Sequence, residues 1–192
     1  MKNYSAFDIL GPIMIGPSSS HTAGAARLGK IASTIAAGDI VEVRFLLHGS
    51  FAKTYKGHGT DKALVAGILG FDPWDEEIKE SFEIARARNI KFSFEEVVME
   101  GSHPNTVKFI IKKVDNSIST ITGSSIGGGN VIVTEINGMD IEFTGEYPTL
   151  IINHKDKPGM ISKVSTVISN DNINIAFLKV YRSKKGKSAS MI

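Results

Sequence analysis

Val131-Ile132-Val133-Thr134-Glu135-Ile136-Asn137-Gly138-Met139-Asp140-Ile141-Glu142-Phe143 reads as two strands joined at Asn137-Gly138, the strongest short hairpin signal in the chain. Upstream of it apolar residues recur with a period of two, in Ile90, Phe92 and Phe94 and in Val107, Phe109 and Ile111, and the strand-favouring Ile118, Thr120 and Thr122 follow with the same period. Alternate residues of a strand share one face, so this pattern predicts strands with one buried side. Asp115-Asn116 reads as a turn between two of them. From residue 90 to 143 the chain therefore predicts an antiparallel sheet.

Before the sheet the spacing is helical. Ala25, Leu28, Ile31, Ala32 and Ile35 share one face of a helix over residues 22–36, capped by the hydroxyls of Ser18-Ser19-Ser20 and ended by Gly38-Asp39. Val41, Val43, Phe45 and Leu47 alternate in a half-buried strand that ends at His48. A short helix over 50–56 breaks at Gly57-His58-Gly59, and a further helix opens near Thr60 with Leu64, Val65, Ile68 and Leu69 on one face. Asp72-Pro73 predicts the start of another, with Asp75, Glu76 and Glu77 in the first turn and an Ile78, Phe82, Ala85 stripe. Residues 1–145 thus read as an α+β domain, helices first and sheet second. Residues 147–192 read as a second unit of order βαββ. Its strands are expected over 149–153, 173–181 and 188–192, and its helix over 160–170 after Asp156-Lys157-Pro158-Gly159. The pattern stops within the third strand, so the second unit is expected to be incomplete.

Composition narrows the function classes. A net charge of +2 gives no electrostatic ground for nucleic-acid binding. The apolar runs are too short to span a bilayer and the N-terminus lacks a signal-peptide core, so no membrane role and a cytoplasmic location are expected. There is no cysteine, hence no disulfide, thiolate nucleophile or Cys-held metal centre. His21, His48, His58, His103 and His154 are scattered without metal-site spacing, and no serine sits in a nucleophile elbow.

Three polar constellations remain. Gly16-Pro17-Ser18-Ser19-Ser20-His21-Thr22-Ala23-Gly24 sets hydroxyls, backbone N–H groups and an imidazole at a helix N-terminus. Such a terminus suits a carboxylate or phosphate, or acts as a plain serine-rich cap. Tyr55-Lys56-Gly57-His58-Gly59-Thr60-Asp61 leaves room on both sides of His58, with Thr60 and Asp61 placed to orient the ring or to cap the next helix. Lys53 of the nearby Ser50–Thr54 segment could face the same space. Gly123-Ser124-Ser125-Ile126-Gly127-Gly128-Gly129 lacks the Gly-Lys-Ser/Thr of a phosphate loop and reads as a glycine-rich strand connection.

Read together with Phe7-Asp8-Ile9-Leu10-Gly11-Pro12 and His48-Gly49-Ser50-Phe51-Ala52-Lys53-Thr54, these segments resemble the β chain of the bacterial two-chain iron–sulfur L-serine dehydratases. The resemblance implies an allosteric-substrate-binding-like domain over 1–145. It further implies a ferredoxin-like ACT domain over 147–192, truncated because the full order is βαββαβ. It implies a lyase subunit, inactive alone, that takes part in converting L-serine to pyruvate and ammonia. A Cys-bearing α chain would hold a 4Fe-4S cluster, and this chain would ligate no metal. His21 and His58 are then expected to be catalytic, and Ser18, Ser19, Ser20, Thr22, Lys53, Thr60 and Asp61 to bind substrate. Asn153, Asp156 and Gly159 are expected to face an effector, and the ACT-like unit to make a homo-oligomer contact. The competing class is a non-catalytic amino-acid-sensing module.

Overall fold

The structure is a computed structural model and describes residues 12–192, so the Phe7-Asp8-Ile9-Leu10-Gly11 part of the family-like motif lies outside the described residues. The described chain divides into two compact units. One comprises the residues up to Gly138 together with Glu142–Gly145, the other Met139–Ile141 and Glu146–Ile192.

The larger of the two sheets has six strands. Its strands are β1 (Ile40–His48), β2 (Lys91–Val97), β3 (Thr106–Lys113), β4 (Ile118–Gly127), β5 (Asn130–Ile136) and β6 (Met139–Phe143), in the spatial order β2-β1-β3-β4-β5-β6. The period-two pattern is realised in β1, β3 and β5, but in β4 it is Ile121, opposite Phe109, that faces the core, while Ile118 is exposed and Thr122 lies between Lys108 and Glu135 on the other face. Val43, Phe45 and Leu47 of β1, Val107, Phe109 and Ile111 of β3, and Val131 and Val133 of β5 are buried on one face. The opposite face carries ion pairs between Arg44 and Glu95 and, across Thr122, between Lys108 and Glu135. One packed and one solvated face is the usual state of a mainly antiparallel sheet. The hairpin turn forms as expected, with positive φ at both Asn137 and Gly138.

Among the described residues four α-helices precede the β2 to β6 run: α1 (Gly24–Ala36), α2 (Gly49–Thr54), α3 (Thr60–Ile68) and α4 (Ser81–Ala87). α1 packs on β3, β4 and β5, α2 packs on β1, β2 and β3, and α3 packs on α1. The α1–α3 crossing is close because two glycines face each other. A Cβ on Gly29 would meet the Leu64 carbonyl at 2.5 Å and the Gly67 Cα at 3.0 Å. A Cβ on Gly67 would strike the Ala26 carbonyl. Helix axes can approach this far only where side chains are absent.

Several expectations are corrected. The sheet is not wholly antiparallel: β1 and β2 run parallel, with Phe45 opposite Phe94 and their rings stacked at 4.9 Å. Alternation reports which face is buried, not strand direction. Asp72 does not cap a helix. Its carboxylate pairs with Lys30 at 2.7 Å, its amide donates to the Asp75 carboxylate, and a 3-10 turn (Glu76–Glu80) precedes α4. The short helix is Gly49–Thr54, not 50–56. Gly123 lies inside β4, so the glycine-rich connection reduces to the turn at Gly127, Gly128 and Gly129.

In the second unit β7 (Ile152–Lys155), α5 (Met160–Asn170), β8 (Val180–Arg182) and β9 (Ser188–Met191) form a three-stranded sheet of order β7-β9-β8. The order βαββ matches the reading, but the first strand is Ile152–Lys155 rather than 149–153, and residues 173–178 are not a strand. The ladder with the end of the chain starts only at Lys179, whose amide and carbonyl both bond Ile192. Ile173, Ile175 and Phe177 are exposed, so their alternation marks no buried face. No residue of α5 is buried.

Candidate active site

The first site element is the turn that opens α1. Ser18 is extended and its Oγ accepts the His21 amide at 3.2 Å, the bond expected of an N-cap hydroxyl. Ser19–Ala23 then forms a single π-helical turn in which the Ser19 carbonyl accepts the Gly24 amide. Such wide turns recur at functional positions, and His21 lies in this one.

β1 delivers the second element. The strand ends at His48, and Gly49 begins α2, which places Ser50 beside the His21 ring. The Ser50 amide donates to the Pro104 carbonyl at 2.7 Å and its carbonyl accepts Thr54 Oγ1 at 2.8 Å, so the residue is pinned from two sides. Ser50 Oγ lies 3.0 Å from His21 Nε2. On the other edge of the ring, Nδ1 lies 3.2 Å from Ser20 Oγ and 3.4 Å from Ser18 Oγ. The Phe51 ring meets His21 edge-on with centroids 5.3 Å apart.

The loop before α3 delivers the third. Gly59 has φ +67°, a conformation that glycine adopts without steric cost, and this turn leads directly from His58 into the helix. The His58 and His21 rings stand T-shaped, centroids 4.9 Å apart, and Thr22 Oγ1 donates to the His58 carbonyl at 3.4 Å. His21 lies in the turn that leads into α1 and His58 in the loop that leads into α3, and the Gly29–Gly67 contact lets these two helices pack closely. His21 is half-buried, and burial followed by the neighbouring His58 holds its pKa below the usual histidine value. His58 is exposed, and its ring nitrogens make no hydrogen bond among the described residues.

The structure thus brings His21, His58, Ser18 and Ser20 together and adds Ser50, which the sequence reading included only as part of a polar segment. A hydroxyl between Gly and Phe has no spacing signature. The available signal was its position directly after a strand end, in a segment adjoining the His58 motif. Ser19 enters through its carbonyl. Thr22 is buried and tethers the His58 loop. Thr60 is fully buried with its hydroxyl unpartnered and sealed from solvent. Asp61 accepts the Lys62 amide at 2.8 Å rather than orienting His58, and its carboxyl is raised above the usual range, mainly by burial. Lys53 is exposed on α2 and makes none of the hydrogen bonds described for this site. No group of three His, Asp or Glu residues among the described residues could hold a metal ion. No described helix is long and apolar enough to cross a membrane.

In the second unit Asn153 Oδ1 accepts Ser190 Oγ at 2.6 Å. Asp156 accepts the Gly186 amide at 3.1 Å and lies 3.6 Å from the Arg182 guanidinium. Gly159, with φ +84°, begins α5, and its surroundings are open.

Comparison with known proteins places this geometry in a family context. The family model described as serine dehydratase beta chain matches residues 5–136. The chain is 45% identical over 185 residues to a protein named L-serine dehydratase, beta chain, of Peptoniphilus asaccharolyticus, covering 96% of this chain and 83% of that one. It is 44% identical over 191 residues to a probable L-serine dehydratase, beta chain, of Bacillus subtilis (strain 168), covering 100% and 86%. It is also 30% identical over 173 residues to a D-3-phosphoglycerate dehydrogenase of the same organism, covering 88% of this chain but only 32% of that longer protein.

Proposed function

This chain belongs to the serine dehydratase beta-chain family, and we propose that it supplies one wall of the active centre of an L-serine dehydratase, facing a catalytic α chain. The observation that carries the reading is the His21–His58 pair, 4.9 Å apart beside the hydroxyls of Ser18, Ser20 and Ser50. Dehydration of L-serine removes the α proton and expels the hydroxyl, and the resulting aminoacrylate hydrolyses to pyruvate and ammonia. A base with an open lone pair is needed at the α carbon. His58 is exposed and has such a lone pair when neutral. His21, with both nitrogens facing hydroxyls and its protonation disfavoured, serves to hold the hydroxyls in place. The serine-lined helix start suits the substrate carboxylate. A 4Fe-4S cluster does not fit this chain, which has no cysteine and no metal-holding cluster among the described residues. We therefore assign such a cluster to the partner, and this chain's own part is confined to binding the carboxylate and moving the α proton.

We read the second unit as an ACT-like regulatory domain, on the support of its βαββ order. Asn153 and Asp156 are engaged within the unit, so an effector would meet it at Gly159 and the start of α5. The exposed α5 face would supply a homo-oligomer contact. Calorimetry with L-serine tests the effector: heat of binding supports it, and none at saturating ligand removes it.

The similarity to a phosphoglycerate dehydrogenase favours a second reading, in which the whole chain senses an amino acid. Anaerobic co-expression with a Cys-bearing α chain of an L-serine dehydratase, followed by a pyruvate assay with L-serine, separates the two. Turnover that requires both chains supports a shared active centre. Full turnover by the partner alone supports the sensor.

A further inference from the structure

We propose that Ser50 is a substrate-contacting member of this site, its hydroxyl proton turned outward to a carboxylate oxygen of the bound amino acid by the His21 ring behind it. The inference rests on the serine-site reading and deepens it. It follows from the three hydroxyls around one imidazole and from the helix terminus that faces its Nδ1.

Ser18 Oγ already accepts the His21 amide, so its own proton must find an acceptor elsewhere. The candidates are Ser20 Oγ at 3.4 Å and His21 Nδ1 at 3.4 Å. Ser20 Oγ in turn lies 3.2 Å from Nδ1. If Nδ1 carries only a lone pair, the Ser20 proton goes to Nδ1 and the Ser18 proton goes to Ser20 Oγ or Nδ1, and both are satisfied. If Nδ1 carries a proton, Ser50 can donate to Nε2 and one proton of the Ser18–Ser20 pair is left without an acceptor; if Nε2 carries it, the proton left over is that of Ser50. The positive end of the helix separates the two, because it favours a lone pair over an N–H at Nδ1.

The neutral ring then bears its proton on Nε2, which donates to Ser50 Oγ at 3.0 Å. Ser50 Oγ becomes an acceptor toward His21, and its own hydrogen has no acceptor among the described residues. The backbone bonds to Pro104 and Thr54 hold the residue in place, and the edge-on Phe51 ring limits rotation of the imidazole. Ser50 is thus a donor prepared for an oxygen ligand beside His58. His21 acts through Ser50 as a positioning residue. Burial and the nearby His58 keep it in the neutral form that this arrangement needs.

Two measurements test this. Long-range ¹H–¹⁵N NMR of the full chain reports which nitrogen of His21 bears the proton, and the Nε2–H form is expected. In the assembled two-chain enzyme, Ser50→Ala is expected to raise KM for L-serine about 10-fold or more while kcat stays within about threefold, because a lost bond to a charged group weakens substrate and transition state alike. Ser50→Thr, which keeps the hydroxyl, is expected to restore KM to within about threefold of wild type. An Nδ1–H tautomer, or an unchanged KM in a normally assembled Ser50→Ala enzyme, overturns the proposal. If Ser50→Ala does not fold, the wild-type tautomer decides. A wild-type pair that assembles but does not turn over L-serine overturns the serine-site reading instead, and the tautomer still decides which way Ser50 points.

Discussion

His21 shows how one residue can be legible in kind and hidden in role. Its position after three serines marked it as a site residue, but the hydroxyl that meets its Nε2 comes from Ser50, 29 positions later. No local pattern connects the two. The same environment gives a pH dependence. His21 has a lowered pKa in the folded chain, with burial the larger cause and His58 the smaller. Above the ordinary value of 6.5 the ring is neutral both folded and unfolded, and its contribution to stability is complete. As pH falls below 6.5 the unfolded chain binds the proton first, so stability is lost from there down through the folded pKa. Urea midpoints on either side of that window should show the loss, and His21→Gln should reduce it; an equal loss in His21→Gln would contradict the assignment. His58→Ala should move the His21 pKa up, though not fully to 6.5, since burial remains. An NMR titration that shows no rise would exclude the ring–ring repulsion. Thr60 gives a separate test. Its hydroxyl is buried without a partner, so Thr60→Val, nearly isosteric, should leave stability unchanged or raise it by about 1 kcal/mol. A loss above about 2 kcal/mol would mean that the hydroxyl does have a partner.

At the scale of elements, sequence period predicted strands and helices well where one face is buried, as in β1, β3 and α1. It failed where no face is buried, as at residues 173–178, and where direction mattered, as for the parallel β1–β2 pair. The tight α1–α3 crossing was also invisible. Gly29 and Gly67 look like ordinary helix-interior glycines in the sequence, and only the crossing explains why a side chain at either would collide with backbone. Gly67→Ala is expected to cost about 1–3 kcal/mol, as overpacking does elsewhere. It should also spread the starts of the two helices, which carry His21 and His58. Chemical denaturation measures the first effect, and the His21 pKa, rising as His58 recedes, measures the second. A variant as stable as wild type would show that the helices have slack at this crossing.

At the scale of the whole molecule, the absence of cysteine from all 192 residues sets the division of labour. Anaerobic reconstitution of this chain alone with iron and sulfide should give colourless, inactive protein, since nothing in it can hold a Cys-ligated cluster; a brown product with cluster absorbance would contradict that. The central claim is that the His21–Ser50–His58 constellation forms part of a shared serine site. Steady-state kinetics of the anaerobically assembled pair, with His58→Ala in this chain, test it most directly. Turnover of L-serine should fall by roughly 10²-fold or more, the scale of a lost acid–base group, while the complex still forms. Wild-type turnover in a normally assembled His58→Ala complex would contradict the account and leave this chain as a regulatory module.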